Sequence, residues 1–488
     1  MPQLLVITAL ALLACSNAAQ AEEAALDLRV MTFNIEWGGT HVSFDNVVAA
    51  IRRSGADIVG IQEAEGNLAR LAEELGWYFD LQNYAISRYP LINPAAANGQ
   101  YVFAEIRPGE VIALLNVHLP SDPYGPDLVR DGAAPDEVLA TERRVRLPKM
   151  LPYLDTARQL IADGMPIFLT GDFNSPAHTD WTATMVDARP FLRYPVQWPL
   201  TKALQDAGLR DSWRSAYPSV ADHPGLTWWA GRPPLESYAP GANDPEDRID
   251  FIWFAGPAEI LGSELIGEPG TPNARVTVTP WPSDHRAVVS DFKVVPARMP
   301  PLLATVQRVY TQGDTIEIIY RNVDSSELQI EREDDNAPAH AAGRLSVAGD
   351  GHANIDGSKL QAGQYIVSLP QAGDTVLEAR FWILEKNARP FVRIAGTSLK
   401  VGERISIAWG NAPGNRNDYL GIVAQEIESG YDAAATWAYV NAKPSGNISI
   451  EARTAEGRWP VPPGRYVVRL CKDDGYEVLA ESEAFVIQ

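Results

Sequence analysis

The run Pro166-Ile167-Phe168-Leu169-Thr170 opens directly into Gly171-Asp172-Phe173-Asn174, so a segment that reads as a buried strand ends in a carboxylate and a carboxamide. Three other apolar runs are punctuated in the same way. Asp57-Ile58-Val59-Gly60-Ile61-Gln62 ends in Glu63, Arg248-Ile249-Asp250 leads into Phe251-Ile252, and Ser283-Asp284-His285-Arg286 precedes Ala287-Val288-Val289. Buried strands that each deliver an oxygen ligand or a histidine at one end restrict the chain to a sheet-based fold with a polar cleft at the strand ends. A hydrolytic metal site needs such an arrangement, because a rigid sheet fixes the ligands while the cleft admits substrate.

At 488 residues the chain exceeds one ordinary domain. With 46% hydrophobic and 21% charged residues it has the composition of a globular protein. The formal charge of -21 disfavours a broad electrostatic grip on duplex nucleic acid, which rests on basic surface. Residues Leu4 to Ala14 are apolar but too few to span a bilayer, and Ala19-Gln20-Ala21 before Glu22 fits a signal-peptidase site. The expectation is a signal peptide over 1–21 and a secreted or periplasmic protein. The alternative reads Leu12-Leu13-Ala14-Cys15 as a lipoprotein box with Cys15 lipidated. Cleavage after Ala21 leaves Cys471 alone, which excludes an intramolecular disulfide.

From residue 26 to 295 strand-like and helical runs alternate, an α/β pattern. Leu28 to Asn34 reads as a strand, Val47 to Arg53 as an amphipathic helix, and Glu137 to Leu160 as a long helix that Pro148 kinks or divides. Prolines at 296, 300 and 301 mark a linker. Beyond it short alternating strands predict two all-β, sandwich-like modules, over 302–386 and 389–488. They read as a duplication. Gly313 to Tyr320 and Gly402 to Trp409 share a G-x-x-I-x-I-x-aromatic pattern, and Gly363 to Leu369 and Gly464 to Leu470 share G-x-Y-x-V-x-L.

Taken in order, Thr32-Phe33-Asn34-Ile35-Glu36-Trp37, Gln62-Glu63, Ser87-Arg88-Tyr89-Pro90, Asn116-Val117-His118-Leu119, Gly171-Asp172-Phe173-Asn174, Arg248-Ile249-Asp250-Phe251 and Ser283-Asp284-His285 resemble the endonuclease/exonuclease/phosphatase superfamily. That superfamily includes deoxyribonuclease I, apurinic endonucleases, bacterial sphingomyelinases and inositol polyphosphate phosphatases. The resemblance implies a four-layered sandwich, two packed mixed β-sheets with helices on the outer faces. It also implies metal-dependent hydrolysis of phosphoester bonds.

Phosphoester hydrolysis needs a cation on the phosphoryl oxygens, an activated in-line water and charge relief at the leaving oxygen. Glu63 offers the hard carboxylate that Mg²⁺ prefers, with Mn²⁺ or Ca²⁺ as alternative ions. Asn34 supports the same metal or a phosphoryl oxygen, and Glu36 stands where many members of the superfamily carry an acidic residue near the metal. His285 is the candidate general base, oriented by Asp250 or Asp284. The resemblance pairs Asp250 with His285 and puts Asp284 near the metal. Asp172 orients the water or protonates the leaving oxygen, and Asn174 holds a phosphoryl oxygen. A plain Asx-turn explains the same two residues. His118 contacts a phosphate oxygen or the leaving group, as in the branch that carries His here, whereas apurinic endonucleases carry Tyr.

For substrate binding the candidates are Asn174, His118, Tyr124 in the Pro/Gly-rich stretch after His118, and Arg144 in the basic stripe Arg143, Arg144, Arg146 and Lys149. Trp228 and Trp229 read either as core aromatics or as a wall of the substrate pocket. The leading expectation is an exported Mg²⁺-dependent phosphoesterase acting on a small, soluble substrate. An extracellular nuclease, a sphingomyelinase-like lipid phosphodiesterase and an inactive adhesion protein are the alternatives. For the C-terminal modules the candidate partners are a glycan, a cell surface or a protein.

Overall fold

The computed structural model describes residues 25–189, 191–233, 245–333, 340–373, 375–430 and 433–488. The segment 1–21 read as a signal peptide, Cys15 included, lies outside the described residues. In chain order, the strands up to residue 298 are β1 Leu26–Asn34, β2 Ile58–Gln62, β3 Tyr78–Asp80, β4 Ala85–Ser87, β5 Leu91–Ile92, β6 Val102–Arg107, β7 Glu110–His118, β8 Ile167–Asp172, β9 Arg210–Asp211, β10 Asp250–Ala255, β11 Ala258–Gly267, β12 Ala274–Thr277, β13 Ala287–Val294 and β14 Ala297–Arg298. They form two seven-stranded sheets, ordered β12-β11-β13-β1-β2-β4-β3 and β5-β6-β7-β8-β10-β9, with β14 added beside β7. Both are mixed. β1 runs parallel to β2 and antiparallel to β13, and β8 runs parallel to β7 and antiparallel to β10.

Strand alternation builds the layers. Successive side chains point to opposite faces, so Leu28 and Val30 of β1, Leu114 of β7, Phe168 of β8 and Ile252 of β10 meet in one core between the sheets. The intervening residues face outward. Met31 and Phe33 pack under the helices Phe44–Ser54 and Leu68–Leu75 through Val47, Ile51, Leu68 and Leu71. Ile167 and Leu169 pack under Leu147–Ala162 and Pro199–Asp206 through Met150, Leu154, Leu200 and Leu204. The result is the helix–sheet–sheet–helix sandwich expected from the motifs. Each fully buried aliphatic or aromatic side chain contributes about 1.5–3 kcal/mol.

Local signals set the element ends. The Ser43 hydroxyl accepts from the Asn46 amide at 3.3 Å to start the first helix, and Gly55 at φ 71° stops it in the left-handed conformation. The long helix read over Glu137 to Leu160 is two, Pro135–Val145 and Leu147–Ala162, and Pro148 sits in the first turn of the second, where its missing N–H has no intrahelical partner to lose.

The proline-marked linker is partly sheet. Ala297 and Arg298 pair with Val111 and Glu110 of β7. The pairing of β8 with β7 begins only at Ala113, so the start of β7 has open backbone groups that β14 satisfies.

After residue 301 the described chain is strand-rich. A six-stranded sheet contains the long antiparallel pair Thr315–Arg332 and His340–Asp356, and a three-stranded and a seven-stranded sheet follow. The duplicated motifs lie on strands, Thr315–Arg332 and Ile405–Gly410 for the first and Gly363–Pro370 and Gly464–Cys471 for the second. The core around Leu303, Ile316 and Phe381 is separate from that around Ile407, Leu420 and Val468. Cys471 is a free, buried thiol. Among the described residues no helix is long and apolar enough to cross a membrane.

Candidate active site

Along each central strand the face turned to the opposite sheet changes from apolar to polar toward one end of the sandwich. On β1 the series is Leu28, Val30, Thr32, Asn34, on β7 it is Ile112, Leu114, Asn116, His118, and on β8 it is Phe168, Thr170, Asp172. β10 runs antiparallel to β8, so it begins with Asp250 and continues into Ile252 and Phe254.

The first polar tier is a closed network. Thr32 donates to Gln62 at 3.3 Å, Gln62 Nε2 to Asn116 Oδ1 at 2.7 Å, and Thr170 Oγ1 to the same Oδ1 at 2.9 Å. Gly60 makes room for it, since a Cβ there would stand 2.0 Å from Thr170 Oγ1 and 2.4 Å from Asn116 Oδ1.

The second tier is the site. His285 Nδ1 lies 2.9 Å from Asp250 Oδ2, while its Nε2 lies 3.6 Å from Asp172 Oδ2 and 3.9 Å from Asp284 Oδ1. Asn34 Nδ2 donates to Glu63 Oε1 at 2.9 Å and to Asp172 Oδ2 at 3.1 Å, joining the two sheets. His118 stands at the rim, its Nε2 at 3.7 Å from Asp172 and 3.9 Å from Glu63. Backbone contacts hold the frame. Ser283 Oγ donates to the Asn34 carbonyl at 2.7 Å, and Thr227 Oγ1 accepts from the Ile249 and Asp250 amides. Glu36, Trp37, Glu63 and Asn174 have φ of 52°, 46°, 54° and 47°. Non-glycine residues held there cost on the order of 1 kcal/mol or more each, a strain that concentrates at functional sites.

Most expected site residues therefore converge, but their postures differ from a simple ligand list. The Asn34 side-chain Oδ1 accepts the Glu36 amide at 3.1 Å, so Asn34 shows its NH₂ to the cleft and clamps carboxylates. Glu36 accepts the Asp284 amide at 2.9 Å and pairs with Arg232 at 2.7 Å. It supports Asp284 rather than facing the cleft. Asp172 Oδ1 accepts the Asn174 amide at 2.9 Å, closing an Asx-turn, while Oδ2 remains in the site. Asn174 Nδ2 is engaged with the Leu119 carbonyl at 3.0 Å.

The Tyr124 hydroxyl donates to Asp247 at 3.1 Å and its ring packs edge-on against Trp228 at 5.4 Å, so it backs the site wall. Arg144 is exposed on its helix, and among the described residues no hydrogen bond or ion pair ties it to the cleft. The buried member of that basic stripe is Arg146, which pairs with Glu142 at 2.6 Å and donates to the Ser121 and Pro123 carbonyls. Thus Arg146 anchors the segment after His118.

Two contributors had weak or no sequence signal. Arg232 lies in a Gly-Arg-Pro turn with nothing to mark it as the partner of Glu36. Trp228, half-buried, stacks on Trp229 at 3.7 Å and donates from Nε1 to Asp284 Oδ2 at 3.3 Å. It is a wall, and Trp229 is the core aromatic behind it.

Electrostatically the site is an excess of buried carboxylate. Burial works against the His285 imidazolium, yet Asp250, Asp284 and Asp172 outweigh it and raise its pKa well above the usual histidine range. Burial raises Asp172 to about 6 and, with Asp284 beside it, Glu36 to about 7. Asp284 is raised by burial, and repulsion from Glu63 adds to it. Burial opposes ionisation of Glu63, but His118 and His285 more than offset it and lower its pKa. Asp250 Oδ1 and Asp284 Oδ1 are buried with no hydrogen-bond partner among the described residues. Asp172, Asp250 and His285 also bring one ligand atom each within 4.8 Å of one another. Converging hard oxygen donors and orphaned carboxylate oxygens fit a divalent cation, which would supply the missing positive charge. Asp172, Asp250 and His285 are the described residues whose ligand atoms lie close enough together to hold one.

Several known proteins are similar to part of this chain. A nematode (Caenorhabditis elegans) protein described as "Uncharacterized protein F14F9.5" is 29% identical over 297 residues, covering 55% of this chain and 92% of that one. Solved structures with similarity include zebrafish (D. rerio) TDP2 complexed with single-strand DNA product, at 15% identity and TM-score 0.32, over 55% of this chain and 98% of that one. A Bacteroides thetaiotaomicron mannosyl-6-phosphatase, Bt3783, matches at 13% identity and TM-score 0.31, over 54% and 99%. Residues 31–285, which run from β1 through the His285 segment and carry every motif of the site, match the Endonuclease/Exonuclease/phosphatase family model. The chain belongs to the endonuclease/exonuclease/phosphatase family.

Proposed function

We propose that the protein is an exported, Mg²⁺-dependent phosphoesterase acting on a small phosphoester. The observation that carries this reading is the posture of His285. Asp250 holds its Nδ1, and its Nε2 faces the cleft shared by Asp172, Asp284 and Glu63. A carboxylate at Nδ1 fixes the tautomer, so Nε2 is the atom that exchanges a proton with the attacking water. Asp172 Oδ2, between His285 and His118, orients that water or returns the proton to the leaving oxygen. His118, at the open rim, meets the phosphate or the leaving group. A divalent ion bound by Glu63 and Asp284 would withdraw charge from the phosphoryl oxygens. The half-exposed Trp228 offers a flat apolar wall for the group beside the phosphate. The apolar segment Leu4 to Ala14 and the Ala19-Gln20-Ala21 site support export. Recovered extracytoplasmic protein should begin at Glu22.

The test uses protein beginning at Glu22, assayed on bis(p-nitrophenyl) phosphate and p-nitrophenyl phosphate with Mg²⁺ or with EDTA, beside His285→Ala. Mg²⁺-dependent release of nitrophenol that disappears in the variant supports the reading. Turnover that survives either EDTA or His285→Ala sinks it.

A further inference from the structure

The Glu63 carboxylate hangs on an unfavourable piece of backbone. Glu63, Glu65 and Gly66 have φ of 54°, 43° and 82°, a left-handed sequence that must be held from outside. On one side the Trp37 amide and Asn34 hold the Glu63 carboxylate, and Gly38 N donates to the Glu63 carbonyl at 2.8 Å. On the other side the support comes from the far end of the chain. The turn Lys472-Asp473-Asp474-Gly475, closed by Gly475 N to the Lys472 carbonyl at 2.8 Å, leaves the strand Gly464–Cys471 and lies against this loop.

Asp473, 2% exposed, accepts the Tyr84 hydroxyl, and the Gly66 backbone N–H beside it favours its charged form. Gly475 packs on Glu65, whose Cβ lies 3.8 Å from where a Cβ of residue 475 would be. The Tyr84 carbonyl in turn accepts the Ile61 amide at 2.8 Å and Asn116 Nδ2 at 3.3 Å, at the end of β2 and in the polar tier below the site. Asp474, held by Asn417 Nδ2 and the Tyr439 hydroxyl at 2.7 Å each, sets its charge against His118 and Glu63. A second anchor lies next to Tyr84. Arg416 donates to the Gln82 and Gly99 carbonyls at 2.7 and 2.8 Å and to the Tyr153 hydroxyl.

We propose that Asp473 and Tyr84 are positioning residues for the metal carboxylate Glu63, so that the C-terminal β-rich segment is a working part of the hydrolytic centre. This rests on the metal-dependent reading of the site. Asp473 acts along two routes, beside Gly66 on the loop that carries Glu63, and through Tyr84, whose carbonyl accepts the Ile61 amide of β2. A partner that orients a ligating carboxylate typically controls metal affinity by about 10- to 100-fold.

The experiment uses the full chain as Asp473→Ala, Asp473→Asn and Tyr84→Phe. Mn²⁺ binding is read from the electron paramagnetic resonance signal of the free ion, with thermal melts to establish folding. Asp473→Ala should bind Mn²⁺ about tenfold or more weakly, and Asp473→Asn, which keeps an acceptor oxygen for the Tyr84 hydroxyl, should recover part of that loss. A purely structural contact would lower the melting temperature and leave Mn²⁺ affinity within about twofold of wild type, which would overturn the proposal. If Asp473→Ala does not fold, Tyr84→Phe decides, since it removes a single hydroxyl. Weaker Mn²⁺ binding supports the proposal and unchanged binding overturns it. A wild type that binds Mn²⁺ yet hydrolyses neither nitrophenyl ester counts against the phosphoesterase reading alone, and the variant series still decides the positioning role.

Discussion

Asp172 and Asp250 stand directly opposite each other in the antiparallel β8–β10 pair, so neighbouring strands aim two carboxylates at one imidazole. Like charges across a ladder are unfavourable, and here the pair is reconciled by His285, which hydrogen-bonds Asp250 and turns its other nitrogen to Asp172. Replacing Asp250 by Asn removes the charge that fixes the His285 tautomer. We expect kcat to fall by about 10²–10⁴, the range associated with a positioned proton-transfer group. Of the charges that raise His285, Asp250 is the largest. In Asp250→Asn the rise of residual activity with pH should therefore move to lower pH. A pH–rate profile that merely scales down would contradict the assignment.

Glu36 and Asp172 have folded pKa values raised to about 7 and about 6. Their stabilising contribution is complete below the unfolded carboxylate range and is lost as pH rises through those values. In EDTA the melting temperature should fall between about pH 4 and pH 7 from this source, while Mg²⁺ should restore more at pH 8 than at pH 5. Calorimetry across that range tests it. A metal-induced shift that is flat with pH would mean the ion does not meet Asp172.

Arg248 serves the fold. It pairs with Asp180 at 2.8 Å and with Asp211 at 2.7 Å, and Arg214 also reaches Asp180 at 2.7 Å. Burial alone would raise the Asp180 carboxyl, but Arg248 and Arg214 hold it down at about 2. Its contribution is present above the unfolded value and disappears as pH falls from about 4 toward 2. Arg248→Met leaves buried carboxylates uncompensated and should cost about 3–5 kcal/mol. Urea unfolding at pH 7 measures it, and a loss below about 1 kcal/mol would show the network to be dispensable.

Gly60 lies against Thr170 and Asn116 of the opposite sheet. Gly60→Ala drives a methyl into Thr170 and Asn116 and should destabilise by about 1–3 kcal/mol or more. The same displacement moves the ends of β2 and β8, so kcat should drop even where the variant is fully folded. Wild-type kcat with lowered stability would show that the site tolerates movement of the polar tier.

The layers of the first 298 residues and nearly all of the site were legible because both follow from strand alternation. Apolar residues at spacing two lie a few positions before Asn34, Glu63 and Asp172 and directly after Asp250, so these four announce themselves as strand ends. What escaped were contacts that depend on three-dimensional approach. Nothing in Gly231-Arg232-Pro233 points to Glu36, and a basic stripe does not reveal which arginine turns inward, so Arg146 rather than Arg144 was the informative one. The orientation of the Asn34 amide depends on the Glu36 backbone N–H, which pattern reading does not see. The loop-to-turn contact between Gly66 and Asp473 joins residues some four hundred positions apart, and composition gave it no mark.

Asn34, His118, Asp172 and Asp250 all ride on the same alternating face of their strands, and this makes the centre intolerant of slippage. Deleting a single residue from β8 ahead of Asp172 would advance the strand by about 3.3 Å and rotate its carboxylate to the helix-covered side. No neighbouring loop could compensate, since the error would be in parity rather than in distance. Length changes should therefore be tolerated in the connections and lethal in the strands, a digital constraint beneath a chemistry usually described by continuous geometry.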